Sequence, residues 1–359
     1  MTQRILFIGP HRPNRNGSQR FRMEQYFPYL KEAGFDYDYS WFIDEKDDRV
    51  FYSSGKWIGK LGVFLKAIRI RLSDVLRSNR YDVIFIQREA FMTGSVFFEK
   101  QFSRSRARVI FDFDDAIWLD DVSEQNRKLR WLKRPSKTAD IIRMADEVIA
   151  GNHFLAEYAR QFSQHVHIIP TIVDTAVFKP AGPARRAGEP ICIGWSGSKT
   201  TVKHFETVLP ALRKLNEIYG HKIRFKLVGD RNFRAEGLHM ECSDFSFENE
   251  LKEFREMDIG LMPLPDDIWS KGKCAFKAIQ YMSFETPPVV SPVGMNTEVV
   301  QHGVNGYLAN SFEDWISSIS QLVESDELRT RLGKKARQTI LDKYSLQSQL
   351  DRFLHILST

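Results

Sequence analysis

The chain is poor in cysteine, with only Cys192, Cys242 and Cys274 among 359 residues. An odd number without regular spacing gives no closed disulfide framework, so a reducing, cytoplasmic setting is expected. Long apolar runs are missing as well: no stretch approaches the roughly 20 residues needed to cross a bilayer. The opening run of MTQRILFIGPH stops at Gly-Pro-His, too early for a signal-peptide core. The nine histidines include no close pair at ligand spacing, so no metal is expected. No serine stands in a Gly-x-Ser-x-Gly elbow, because GWSGS puts it at the wrong place. No Gly-x-Gly-x-x-Gly directly follows a predicted strand, which argues against a bound redox cofactor. A basic-aromatic recognition motif is also lacking, so nucleic acid is not an expected partner.

Positive charge is in surplus, at a formal +6, and it is concentrated in two places. Residues 57–80 carry Lys60, Lys66, Arg69, Arg71, Arg77 and Arg80 against Asp74 alone. Residues 126–143 carry Arg127, Lys128, Arg130, Lys133, Arg134, Lys137 and Arg143 against Asp140 alone. Basic faces of this kind suit an anionic membrane surface. In the first segment Leu61, Phe64, Leu65, Ile68 and Leu72 recur at helical spacing with basic residues between them.

With 42% hydrophobic residues the chain is ordinary globular material, long enough for two cores. Short apolar runs alternate with helix-length segments. Strands are predicted at RILFIG, FDYDYSWF, YDVIFIQ, RVIFDF, DEVIAG and HVHIIP, and again at ICIGW, IRFKLVG, DFSF, DIGLMPL and Val289–Val290. That alternation predicts βαβ units and an α/β fold of parallel sheets. The proline-rich stretch 171–190 reads as a linker between domains 1–170 and 191–341, and 342–359 as a helical tail.

Ligands of open parallel sheets bind beyond the carboxyl ends of the strands. In the second half those ends offer Gly197, Ser198, Lys199 and Lys203; Asp230 and Arg231; Lys271, Gly272, Lys273, Cys274 and Lys277; and Gly294, Met295, Asn296 and Glu298. Helix starts expected at 272–274 and 295–297 would add free N–H groups and dipole to the lysines, making a phosphate site. In the first half RVIFDF leads into Asp112, Asp114 and Asp115, carboxylates placed to act as a base or to hold sugar hydroxyls. The loop before them in the chain carries Arg15, Gly17, Ser18, Arg20 and Arg22, which could face an anionic ligand or simply be solvated.

The run DIGLMPLPDD…KGKCAFKAIQYMSFETPPVVSPVG…EVVQHGVNGYLA, with the linker IPTIVDTAVFKP and the strand end LVGD, resembles the donor half of retaining, nucleotide-sugar-dependent glycosyltransferases of family 4. The resemblance is specific over 146–309. It implies the GT-B fold: two Rossmann-like doubly wound domains facing a cleft, the first for the acceptor, the second for the nucleotide sugar, with the C-terminal helix crossing back to the first. It further implies transfer of a hexosyl-type unit from a nucleotide diphosphate sugar to a glycan or lipid-linked glycan acceptor, with retention and without a metal, at the inner face of the cell membrane.

The chain departs from the family pattern at a pair of glutamates eight positions apart. Gln280 stands at the second, and the first falls near Gly272, beside Lys271 and Lys273. The Lys-Gly-Lys-Cys-x-x-Lys pattern looks like that of a subgroup with lysines there. The family's His-Asp pair aligns with Asp114-Asp115, without the histidine. A nucleotide-sugar epimerase of the same fold, or a catalytically weak nucleotide-sugar or glycan-binding protein, is the alternative.

Overall fold

A computed structural model describes residues 2–53, 55–119, 134–180 and 188–358. The chain forms two compact units, Met1–Thr171 with Leu350–Thr359, and Ile172–Gln349.

The first unit is built on six strands: β1 (Gln3–Ile8), β2 (Phe35–Ser40), β3 (Val83–Gln87), β4 (Arg108–Phe113), β5 (Glu147–Ala150) and β6 (Val166–Ile168). All pair in parallel, in the order β2-β1-β3-β4-β5-β6. Every residue of β3 is buried. That explains why its sequence is a continuous apolar run rather than an alternating one: both faces of the sheet are covered. The segment after β1 is helical in pieces: Gly17–Arg22, a tight turn at Glu24–Tyr26, and Phe27–Leu30. Pro28 has no N–H to donate, so it sits in the first turn of a new helical segment instead of continuing the old one. The final helix, Leu346–Ser358, lays Phe353 on Tyr26 at 3.8 Å between ring centroids, and Arg108 donates to the carbonyls of Ile356 and Leu357 at 2.6 and 2.9 Å.

The helix Trp57–Arg77 sits the other way round from its apolar spacing. Val63, Ala67, Arg71 and Asp74 are the buried residues, while Leu61, Leu65 and Leu72 are exposed. Arg71 is the cause. Fully buried, it donates to Asp74 at 2.8 Å, to Ser40 at 2.9 Å and to the carbonyls of Ala90 and Gly9 at 2.7 and 2.8 Å. A guanidinium with such partners is satisfied inside, and it fixes the helix by its polar edge.

The second unit repeats the plan with β7 (Ile191–Ser196), β8 (Ile223–Val228), β9 (Met240–Ser243), β10 (Ile259–Met262), β11 (Pro288–Val290) and β12 (Tyr307–Leu308). The order is β12-β11-β10-β7-β8-β9, again parallel throughout. The strand predicted at DFSF lies one step earlier, at Met240–Ser243, where Cys242 pairs with Leu227. Trp195, Phe205, Leu212, Leu227, Leu261 and Ile319 belong to one core.

Candidate functional site

In the second unit the strand order reverses beside β7: β8 and β9 lie on one side, β10, β11 and β12 on the other. The carboxyl ends of β7 and β10 therefore flank the crevice where a doubly wound sheet takes its ligand. Two close backbone approaches shape the loops there. Gly229, at φ +139°, packs on the loop after β7, and a Cβ on it would stand 1.9 Å from the carbonyl oxygen of Gly197. Gly294, at φ +53°, lies so near the Lys271 backbone that a Cβ would meet its Cα and oxygen at 2.9 Å. Only glycine combines that φ with that clearance.

The first predicted helix start moves. Lys271 closes a single turn, Ile268–Lys271; Gly272, Lys273 and the buried Cys274 form a loop, and the long helix opens at Phe276 after a left-handed Ala275. The second predicted start is the turn Asn296–Val299, too short to sum much dipole. Met295 and Asn296 are buried there. The Asn296 amide nitrogen donates to Ser291 O at 2.9 Å, while its Oδ1 lacks a partner. Glu298 is exposed on the same turn.

Lys277, one residue into the long helix, holds its ammonium 5.0 Å from the Trp195 ring centroid. Among the described residues no carboxylate pairs with it. Burial, assisted by the charge of Lys273, pushes its pKa down to about 7. His204 is buried on the short helix Val202–Glu206, and its pKa is lowered by burial and then by Lys273, Lys203 and Lys277. Four basic groups thus crowd one spot. Lys273 also lies over Trp269, at 5.3 Å.

The outer members of the predicted set are engaged at the surface. Lys199 stands 3.6 Å from Asp230, Arg231 2.6 Å from Asp244, and Lys271 3.1 Å from Asp266. Ser198 closes the turn after Gly197, its N–H donating to Thr201 Oγ1 at 3.0 Å, and Lys203 is exposed. Gln280, at the second of the family's glutamate positions, turns inward. It is 4% exposed, and its amide nitrogen donates to Glu250 Oε1 at 2.7 Å. Glu250, itself buried at the start of the helix Glu250–Arg255, occupies that group.

In the first unit the order reverses between β1 and β3, and the side chains at those ends meet. Ser18 donates to Asp114 at 2.6 Å, Gln87 donates to Ser18 Oγ at 2.7 Å, and Arg88 Nε donates to Asp114 at 2.8 Å. Burial opposes ionisation of Asp114, but Arg88 and Arg22 outweigh it and hold its carboxyl below the usual range. A carboxylate so held is a poor proton acceptor. Asp115 accepts from the Ala116 N–H at 3.1 Å and lies 3.7 Å from Arg88. Arg88 takes a left-handed φ of +63°, a strained backbone for a long side chain.

Arg22 does not face a ligand. It is buried, forms a two-pronged ion pair with Asp112, and donates to Ile169 O at 2.6 Å. Arg20 lies over Phe21 at 4.8 Å, Arg15 pairs with Asp48 at 2.8 Å, and Gly17 opens the first helix into free space. Of the second basic segment, Arg127, Lys128, Arg130 and Lys133 lie outside the described residues. Its remaining charges are neutralised: Arg134 and Arg143 both pair with Asp140, and Lys137 is buried against Glu89 and Glu99.

Sequence reasoning missed His204, Trp195, Glu250, Gln87 and Arg88. None carries a local signal, because each gains its meaning from a strand end or helix brought beside it by the fold.

The family match falls in the second unit, while the structural matches extend over the whole chain. Residues 183–339 match the family model described as glycosyl transferases group 1. A poly(ribitol-phosphate) alpha-N-acetylglucosaminyltransferase of Staphylococcus aureus is 34% identical over 65 residues, 18% of this chain and 13% of that one. The chain thus aligns with only about an eighth of that relative's length. Sucrose-phosphate synthase from Thermosynechococcus elongatus superposes with a TM-score of 0.71 at 15% identity, covering 99% of this chain and 98% of that one. Anabaena Alr3699/HepE in complex with UDP and glucose gives 0.70 at 14%, covering 99% of each. The fold is GT-B, as the resemblance implied.

Proposed function

We propose, from a group 1 glycosyltransferase pattern carried on a GT-B fold, that the chain moves a hexosyl unit from a nucleotide diphosphate sugar to an acceptor hydroxyl. The carrying observation is Lys277: a half-buried ammonium without a carboxylate partner among the described residues at the strand-order reversal, beside Trp195, Lys273 and His204. An unpaired cation held partly out of water is costly, and an anion seated on it removes the cost. The diphosphate is that anion. Helix Phe276–Ser283 points its N-terminal N–H groups to the same place, and the glycine approaches at 197/229 and 271/294 let phosphate oxygens reach backbone.

In the reaction the bond between the anomeric carbon and the diphosphate oxygen breaks, and a bond to the acceptor oxygen forms on the same face. The acceptor hydroxyl gives its proton to the departing diphosphate oxygen. Negative charge gathers on the leaving diphosphate, where Lys277 and Lys273 stabilise it with Lys203 nearby; a preorganised term of this type is commonly the largest in catalysis. No metal is required, because these ammonium groups supply the neutralising charge. The first unit takes the acceptor, with Asp115 as its carboxylate and Ser18, Gln87, Arg88 and Asp114 holding the pocket floor. The acceptor is proposed to be a surface or lipid-linked glycan, met in the cytoplasm at the membrane's inner face.

Thermal unfolding and donor turnover test this. UDP, the nucleotide bound in the HepE structure, is the first ligand to try, and a ligand bound only by the folded state raises its melting temperature. Consumption of donor only with a glycan acceptor supports transfer; consumption without one assigns the site to an epimerase. Binding without any turnover leaves a nucleotide-sugar-binding protein.

A further inference from the structure

The helix Trp57–Arg77 turns its apolar side to solvent. Ile58 is 90% exposed and Leu76 87%, with Leu61, Leu65 and Leu72 exposed between them and Trp57 exposed at the first turn. The spacing is three or four residues throughout, broken only by Arg69, so these side chains form one stripe. At 1.5 Å per residue it is about 27 Å long.

The helix cannot roll to bury it. Its other edge is fastened by Arg71, whose hydrogen bonds to Ser40, Ala90 O and Gly9 O, all off the helix, would break.

The charge on this helix is one-sided. Its single carboxylate, Asp74, is buried and paired with Arg71 and Arg77. Lys66 is occupied by Asp44 and Asp47. Among the described residues Arg69, exposed within the stripe, and Arg80, exposed on the turn just past the helix, have no acidic partner, while Lys60 is half-buried over the Trp57 ring at 5.8 Å. Two copies of this face would set those cations against one another. No described helix is long and apolar enough to cross a membrane.

We propose that this helix lies flat on an anionic lipid surface, with Ile58, Leu61, Leu65, Leu72 and Leu76 in the headgroup–acyl boundary and Arg69, within the stripe, and Arg80, just past its end, on the lipid phosphates. Trp57 marks the interfacial level at one end. This rests on the membrane placement above and replaces its broad basic segments with one face of one helix.

Sedimentation with phosphatidylcholine vesicles, with and without phosphatidylglycerol, tests it. Binding is expected only with the anionic lipid and is expected to fade with salt. Arg69→Ala should lower the partition coefficient roughly fivefold, each basic residue near the surface contributing about that factor. Leu61→Gln with Leu65→Gln should abolish binding. All three positions are exposed, so thermal unfolding should stay unchanged. Equal binding to neutral vesicles, or variants that bind like the parent, overturns the proposal. So does a dimer that Leu65→Gln dissociates without any vesicle binding, which gives the face to a second copy. Transfer to a soluble acceptor is measured on the same variants. If vesicle binding behaves as expected while no transfer occurs, the enzyme reading fails and the docking surface stands.

Discussion

The two strand-order reversals treat buried charge in opposite ways. In the first unit Arg22 is buried and its guanidinium is matched by Asp112, while Asp114 is matched by Arg88 and Ser18. In the second unit Lys277 is half-buried beside an indole ring and repelled by Lys273. The first cluster is electrostatically complete as folded; the second is left one anion short. Matched charges hold a shape, whereas an unmatched one selects a ligand. On the function proposed above, the same topology yields a stiff floor in one unit and the diphosphate site in the other.

The sharpest break is expected at Arg22→Met. Leaving Asp112 buried and unpaired should cost about 3–5 kcal/mol in urea unfolding, whereas adding Asp112→Leu should recover much of the loss, since replacing both partners of a buried pair is often near neutral. A recovered double variant would show that the pair holds structure only.

Next comes Lys277→Met. Transfer should fall about 10²–10³-fold, the range for removing one preorganised donor from a developing anion, while the unliganded protein loses no stability. Unchanged turnover would sink the assignment of the diphosphate to this spot.

The pH dependence sharpens the same contrast. Lys277 has a folded value of about 7 against an ordinary 10.5, so between those values the unfolded chain holds more protons. Its contribution to unliganded stability therefore rises with pH across that window. A bound diphosphate favours the ammonium and raises its pKa, so binding takes up a proton above pH 7. Affinity should then decline toward alkaline pH, by at most about tenfold per pH unit. Calorimetry in buffers of different ionisation enthalpy reads the uptake, which should vanish in Lys277→Met.

The smallest effect is expected at Gly294→Ala, where a methyl group meets the Lys271 backbone at positive φ. About 1–2 kcal/mol of stability should be lost, with a raised KM for donor and little change in kcat.

The sheets were legible because burial on both faces leaves uninterrupted apolar runs such as Val83–Gln87 and Ile191–Ser196. The helix 57–77 was legible as a helix, but its inner face was not. Both sides carry apolar residues, and the inward choice is made by Arg71, a residue that composition assigns to the surface. At the site, Lys277 and the glycine loops followed from their places after strands. Gln280 did not, because its partner Glu250 lies thirty positions away in another helix. His204 was silent for the same reason: its basic neighbours assemble only in the folded unit.

One feature of the chain's path bears on how the protein is made. The final helix leaves the second unit at Gln349 and enters the first at Leu350. Phe353, Ile356 and Leu357 are buried there, the first of them against Tyr26. During synthesis these residues emerge after every strand of the second unit. The earlier-made unit must therefore wait on the ribosome with one wall of its core open, whereas the later-made unit has all of its strands before the last helix appears. A stall or cleavage near 349 would expose that wall to chaperones and proteases, giving the last turns of the chain authority over the fate of its first strands.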